Sequence, residues 1–183
     1  MKKIVFAATG ASGAGLFLKL VKAAKDSCEA HVIVSKNAMK VLEAEENLRL
    51  NLDELGVKIY DDEDLSAGPA SGSFGTDAMI IAPCSTNTLA KVANGISDTL
   101  ITRAASVALK ERQALVLGVR EMPFSAIALS QMQLLSSLGA IIAPPVLGYY
   151  ADIKSLSDME NFIIGKWLDA LKIENNLYKR WQI

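Results

Sequence analysis

Lys3-Ile4-Val5-Phe6-Ala7-Ala8-Thr9-Gly10-Ala11-Ser12-Gly13-Ala14 decides the fold. Residues 4–8 form an unbroken apolar run, short enough for a strand and apolar enough to be covered on both faces. Thr9-Gly10-Ala11-Ser12-Gly13 is a tight turn of small residues. From Ala14 to about Lys25 the residues Leu16, Leu20 and Ala24 recur at four-residue spacing, which predicts a helix. His31–Val34 then reads as a second strand and Lys36 to about Asn47 as a second helix. Strand, turn, helix, strand, helix is how a parallel sheet begins.

The alternation continues downstream. Leu48–Leu65 is polar and acidic, with one candidate strand at Val57–Tyr60, and Ser66–Thr76 reads as a loop rich in Gly, Ser and Ala. Ala78–Ala82 is a buried strand that leaves through Pro83-Cys84-Ser85-Thr86 into a helix at Thr88–Ala93. Asn94-Gly95 ends that helix, and Asp98 is expected to cap the next one, to about Arg112. Ala114–Val119 is a strand leaving through Arg120-Glu121-Met122-Pro123; Ser125–Leu138 is a helix and Ala140–Ala143 a short strand. Pro144-Pro145 opens an extended stretch to Tyr150, and Ser155–Leu171 is the last helix. The fold class that follows is α/β: a three-layer, doubly wound, mostly parallel sheet of Rossmann-like type in a single domain. Residues 1–173 form that domain and 174–183 a tail. Ligands of such sheets bind beyond the carboxyl ends of the strands, so Gly10–Gly13, Ser35, Pro83–Thr88 and Arg120–Pro123 are expected on one face.

Composition removes several functions. The 183 residues carry a net charge of −1 with no basic stretch, which speaks against nucleic-acid binding. The chain is 51% hydrophobic, with a mean hydropathy of +0.26, yet no apolar run approaches the roughly 18 residues of a membrane helix. A large core or contact with sister subunits accounts for that surplus. Met1-Lys2-Lys3-Ile4 leads straight into the first strand, too short for the apolar part of a signal peptide, and Cys28 and Cys84 give no disulfide framework. A cytoplasmic protein is expected.

Gly10-Ala11-Ser12-Gly13 opens a helix, where small residues and the positive helix end suit a phosphate. The dinucleotide fingerprint fails: the glycines fall at 10, 13 and 15, and the second strand ends in Ser35-Lys36 rather than an acid. A mononucleotide such as FMN fits better, with Ser35, Ser85 and Thr88 as neutral donors. Cys84 and His31, expected at opposite ends of the sheet, read as structural, and one histidine with two distant cysteines makes no zinc site. Asp61-Asp62-Glu63-Asp64 lacks the spacing of a magnesium–diphosphate motif and reads as a solvated acidic loop. Arg103 and Lys110 lie seven residues apart on one helix face, and Arg120 and Glu121 leave a strand at the ligand face. Together they suggest a cationic hollow with an acid beside it.

The chain resembles the flavin prenyltransferases of UbiX type. The resemblance runs from Lys3 to Trp181 and rests on Thr9-Gly10-Ala11-Ser12-Gly13-Ala14, Ala70-Ser71-Gly72-Ser73, Ala82-Pro83-Cys84-Ser85, Arg103-Ala104-Ala105 through Ala108-Leu109-Lys110-Glu111-Arg112, and Arg120-Glu121 with Pro123. It implies that FMN binds at Gly10, Ala11, Ser12, Ser35, Ser85, Thr86, Asn87, Thr88 and Arg120. It places dimethylallyl phosphate against Arg103, Lys110, Arg120, Glu121, Tyr150, Lys166 and Trp181. The implied reaction joins the dimethylallyl group to N5 and then C6 of reduced FMN without a metal, for use by UbiD-type decarboxylases. Ser12, Glu45, Glu121 and Lys110 are the implied catalytic residues: Glu121 a proton donor to the leaving phosphate, Ser12 and Glu45 proton carriers at the flavin. Relatives are commonly dodecamers, so a homo-oligomer is implied.

Two departures stand out: Lys166 where many relatives carry Arg, and Ile127-Ala128-Leu129 where many carry a histidine. Two other classes compete. A flavin-dependent decarboxylase, of cysteine or aromatic-acid type, lacks here an obvious histidine base or a Pro-x-Met-Asn motif. A non-enzymatic flavin carrier leaves the clustered Lys110, Arg120 and Glu121 without purpose.

Overall fold

The computed structural model describes residues 1–46 and 52–181. Six strands, β1 (Lys3–Ala8), β2 (Glu29–Val34), β3 (Lys58–Asp61), β4 (Ala78–Cys84), β5 (Ala114–Val119) and β6 (Ile141–Ile142), pair in the order β3-β2-β1-β4-β5-β6. Every pairing is parallel. The helices are α1 (Ala14–Ala24), α2 (Lys36–Glu46), α3 (Thr86–Ala93), α4 (Leu100–Lys110), α5 (Ala126–Ser137) and α6 (Leu156–Ala170). The strand order reverses between β1 and β4, the position at which doubly wound sheets take their ligands.

Alternation along each strand divides the core in two. Ile4, Phe6 and Ala8 of β1, with Ile80 and Ala82 of β4, pack beneath α1 and α6, against Phe17, Leu20, Phe162 and Trp167. Val5 and Ala7, with Met79 and Ile81, pack on the other side, against Leu89, Leu100, Ile101 and Leu135 of α3, α4 and α5. Both faces of the central strands are covered, which is why their sequences are apolar without interruption. Gly118 of β5 lets the layers approach: a Cβ there would stand 2.8 Å from that of Ala82 and 3.1 Å from the Trp167 ring. The indole of Trp167 is buried and its Nε1 donates to the Ala143 carbonyl at 2.8 Å.

Several boundaries move from their sequence expectations. β2 starts two residues early, at Glu29, and β4 runs on through Pro83 to Cys84. Proline has no N–H for the ladder, and the pairing with β5 shifts register between Ile81 and Cys84. Asp98 does not cap α4: Thr99 does, in a capping box whose other member is Thr102. Asp98 instead pairs with Lys91 at 2.6 Å. The expected end of α2 at Asn47 lies outside the described residues. After Ile173 the chain folds back on α6, where Asp169 accepts from Asn175, Tyr178 and Arg180. No helix among the described residues is long and apolar enough to cross a membrane.

Candidate functional site

The carboxyl ends of four adjacent strands are stitched into one row. Ser35 N–H donates to Ala8 O at 3.1 Å, Thr9 N–H to Pro83 O at 3.0 Å, and Arg120 N–H to Cys84 O at 3.1 Å. Thr9 reinforces the centre: its buried hydroxyl donates to Pro83 O and accepts from Ser85 N–H at 2.8 Å. Because parallel strands all end on the same side, the residues after β2, β1, β4 and β5 stand as neighbours about 4.8 Å apart. The four loops expected to share a face do so.

Between these tips lies a polar crevice of about 380 Å³, whose wall includes Gly10, Ser35 and the run Ser85-Thr86-Asn87-Thr88. Ser85 caps α3: its Oγ accepts from Thr88 N–H at 3.2 Å and bonds the Thr88 hydroxyl at 3.0 Å. The first-turn N–H groups of Thr86 and Asn87 have no intrahelical carbonyl to reach, so hydroxyls and amides give the crevice an anion-binding character without a cluster of cations. A Cβ on Gly10 would stand 2.7 Å from that of Asn37, so only glycine lets the β1 turn lie this close to α2. Ala11 and Ser12 follow in the turn, half-buried.

The helix end after Gly13, expected to meet a phosphate, meets a carboxylate of this chain instead. Glu45 of α2 accepts from Gly13 N–H at 3.0 Å and Ala14 N–H at 3.3 Å. A carboxylate at a helix N-terminus is favourable, and the helix starts that reach the crevice are those of α2, α3 and α4, through Ser35 and Asn37, Ser85–Thr88, and Thr99, Ile101 and Thr102.

The wall also contains residues that sequence reasoning missed: Asn37, Asp62, Lys91, Thr99 and Thr102. Asp62 overturns the reading of its acidic run as solvated. It is 8% exposed; its Oδ1 accepts from Ile101 N–H at 2.9 Å, and its carbonyl takes Leu100 N–H at 2.7 Å. It therefore clamps the start of α4 to the end of β3. Burial pushes its carboxyl above the usual range, against the pull of the bonds from Ile101 and Thr99. The signal was available: the residue after β3 must emerge on the same side as Ser35. The rest of the run behaves as surface, with Glu63 pairing Lys36 and Asp64 accepting from Ser66.

The remaining candidate residues lie elsewhere on the chain. Arg103 donates from Nε to Ala70 O at 2.9 Å, and Lys110 pairs with Glu111 beside Gly72, so one face of α4 carries both cations against the 68–74 loop. From Leu100 to Lys110 the helix rises about 15 Å, which takes Lys110 to the far end from the crevice. Arg120 and Glu121 are exposed on the β5 tip; Glu121 accepts from Met122 N–H at 3.0 Å. Tyr150 and Lys166 line a separate, largely apolar groove of about 460 Å³ with Ile141, Phe162 and Trp167. Trp181 stands edge-on to Tyr150, ring centres 5.5 Å apart. Cys84 is buried, its thiol pushed up to about 12 by desolvation, so it stays protonated and inert. His31 is also buried, but it lies inside β2 as its third residue rather than at the opposite end of the sheet, and its ring bonds Tyr60 and Glu29.

A doubly wound sheet with a polar crevice at its switch point defines a nucleotide-binding protein, and a family model described as Flavoprotein matches residues 1–168. The chain is 47% identical over 186 residues to the flavin prenyltransferase UbiX of Campylobacter jejuni, covering 98% of each. It therefore belongs to the UbiX flavin prenyltransferase family. The crystal structure of AnUbiX (PadA1) in complex with FMN and dimethylallyl pyrophosphate matches with a TM-score of 0.95 at 38% identity, covering 99% of this chain and 97% of that one. A dodecameric FMN-dependent UbiX-like decarboxylase from Escherichia coli O157:H7 matches with a TM-score of 0.92 at 37% identity, over all of both chains.

Proposed function

We propose that this protein is a flavin prenyltransferase that binds FMN in the crevice between β1 and β4 and alkylates it with a dimethylallyl group from dimethylallyl phosphate. The observation that carries the reading is the hydrogen-bonded row of strand tips, in which Gly10, Ser35 and Ser85 line one polar hollow and Arg120 follows on the next tip. The hydroxyls and first-turn amides of Ser85–Thr88 suit the phosphate, and Ala11, Ser12 and Arg120 extend the site towards the flavin ring.

Reduced FMN, as the substrate, would supply the nucleophile: N5 bonds the allylic carbon in place of its own hydrogen as the C–O bond breaks and phosphate leaves. The alkene then takes a proton, and C6 bonds its substituted carbon and releases the C6 hydrogen as a proton. Cations stabilise the departing phosphate, the part assigned to Arg103, Lys110, Arg120 and Lys166. Glu121 holds the proton that the leaving group takes. Ser12 and Glu45 carry protons at the ring, and Tyr150 and Trp181 turn their faces to the allylic charge. No metal takes part.

Within one chain Lys110 is too far away to act at the crevice, about 15 Å along α4 from it. The reading therefore includes assembly. Residues 1–173 are the flavin-binding unit, residues 174–183 a tail serving that assembly, and neighbouring copies bring the α4 cations and the Tyr150–Lys166 groove to the crevice rim. The apolar side chains left on the surface support this: Met122 is 90% exposed, and Ile127, Val146, Tyr149 and Leu156 are exposed with it. The assembled form is a homo-oligomer, of dodecameric size by analogy. It works in the cytoplasm and passes prenylated FMN to a UbiD-type decarboxylase.

The test is anaerobic incubation with reduced FMN and dimethylallyl phosphate, followed by mass spectrometry of the flavin. A flavin heavier by one dimethylallyl unit is expected. An unchanged flavin overturns the transferase, and carbon dioxide released from an added aromatic or cysteinyl acid without prenylation would favour a decarboxylase.

A further inference from the structure

Ser85, Thr88 and Lys91 recur every third residue at the start of α3, which sets them along one helix face, and all three line the crevice. Among the described residues the crevice wall carries two formal charges, Asp62 and Lys91. Asp62 is committed to the start of α4 through Ile101. Lys91 is differently placed. Its side chain is 28% exposed, and its Nζ is held at 2.6 Å by Asp98, a residue of the α3–α4 connection that is itself half-exposed and outside the wall. The pair thus ties a wall residue to an exposed carboxylate outside the wall. Asp98 in turn accepts from the Thr102 hydroxyl at 3.4 Å, and the Lys91 ammonium holds its carboxyl below the usual range.

A partly exposed ion pair of this kind contributes little to folding. A phosphate dianion drawn into a hollow whose other lining groups are neutral hydroxyls and amides, with the buried Asp62 for company, is a different matter. Hydrogen bonds from neutral donors solvate the oxygens without cancelling their charge, and buried charge without an opposite partner is strongly disfavoured. Lysine is well suited to supply that partner, because its flexible four-carbon stem carries a point charge that can turn from one carboxylate to a phosphate one helical turn away.

We propose that Lys91 is the counter-ion of the FMN phosphate, and so the residue that makes this crevice select FMN over unphosphorylated riboflavin. The proposal rests on the reading that FMN occupies the crevice. Without flavin, Asp98 keeps the ammonium parked at the wall; with FMN bound, the phosphate shares or takes it.

The test is parallel fluorescence titration of the full-length, flavin-free protein with FMN and with riboflavin, for the wild type, Lys91→Met and Lys91→Arg. A charge-assisted hydrogen bond corresponds to about tenfold to hundredfold in affinity, and competition from Asp98 argues for the lower end. Lys91→Met is therefore expected to weaken FMN about tenfold while riboflavin changes by less than about twofold, and Lys91→Arg to keep most of the preference. The wild-type preference for FMN should also shrink as salt is raised. Equal losses for both flavins would make Lys91 a purely structural residue, and an unchanged FMN affinity in Lys91→Met would put the phosphate elsewhere; either overturns the proposal. Failure of the underlying reading looks different, because the wild type itself would then bind neither flavin.

Discussion

The crevice between β1 and β4 and the groove between β6 and α6 are of similar size, about 380 and 460 Å³, and opposite in chemistry. The first is walled by hydroxyls, amides and two charges; the second by Ile141, Val146, Phe162 and Trp167, with Tyr150 and Lys166 supplying its polar edge. The crevice lies inside the sheet, where neighbouring parallel strands finish on one side and their tips bond to each other. The groove lies at the sheet's margin, beside a strand of two residues with no strand beyond it among the described residues. A margin of this kind presents unpaired backbone and apolar surface that proteins normally cover. Interior position lets one chain wall the polar crevice by itself; marginal position leaves an apolar groove at an open edge.

Glu121, on the β5 tip outside both hollows, gives the largest expected effect. Glu121→Gln should lower the rate of flavin prenylation by about a hundredfold to a thousandfold, in the range that positioned proton donors contribute, with the FMN dissociation constant unchanged in fluorescence titration. Turnover close to normal would remove Glu121 from proton transfer and move the division between binding and chemistry. Lys166 tests the groove. Lys166→Ala should raise the KM for dimethylallyl phosphate about tenfold, the value of one charge-assisted bond, and leave FMN binding alone. Lys166→Arg should lower that KM a few-fold by restoring a two-pronged donor. Loss of FMN binding in either variant would erase the distinction between the two hollows.

The smallest effect belongs to the crevice. Asp62 is raised by burial, so its contribution to stability is fully present below the unfolded carboxyl value, near pH 4, and is lost as pH rises through its folded value. Asp62→Asn keeps an acceptor for Ile101 N–H and removes the charge. Thermal melts should show the variant at least as stable as the wild type at pH 7, with the advantage vanishing towards pH 4. A variant less stable at pH 7 would mean that the charge, rather than the acceptor, holds the start of α4.

Much of the crevice was legible because its parts are local. An apolar strand followed by a small-residue turn marks a strand tip wherever it occurs, so Gly10, Ser35 and Ser85 could be placed on one face from the alternation of elements. Residues fixed by tertiary choice were harder. Asp98 and Thr99 are adjacent good caps, and only the reciprocal bond with Thr102, seen once α4 is built, decides for Thr99. Asp62 hides in a run of four acids, and only its place directly after β3, not its type, tells that it turns inward. Arg103 and Lys110 were put on one helix face of about the right length, yet which end of α4 meets the crevice, and so that Lys110 lies at the far end, is fixed only by how the helix packs on the sheet.

The two tryptophans of this chain occupy opposite surroundings: Trp167 is sealed beneath the sheet by Gly118, and Trp181 is 68% exposed beside Tyr150. They make a pair of built-in optical reporters. Emission from Trp167 should be blue-shifted and follow unfolding of the layers, while Trp181 should emit to the red and respond when another subunit shields the tail. One spectrum followed across a dilution series would then separate dissociation from loss of the fold.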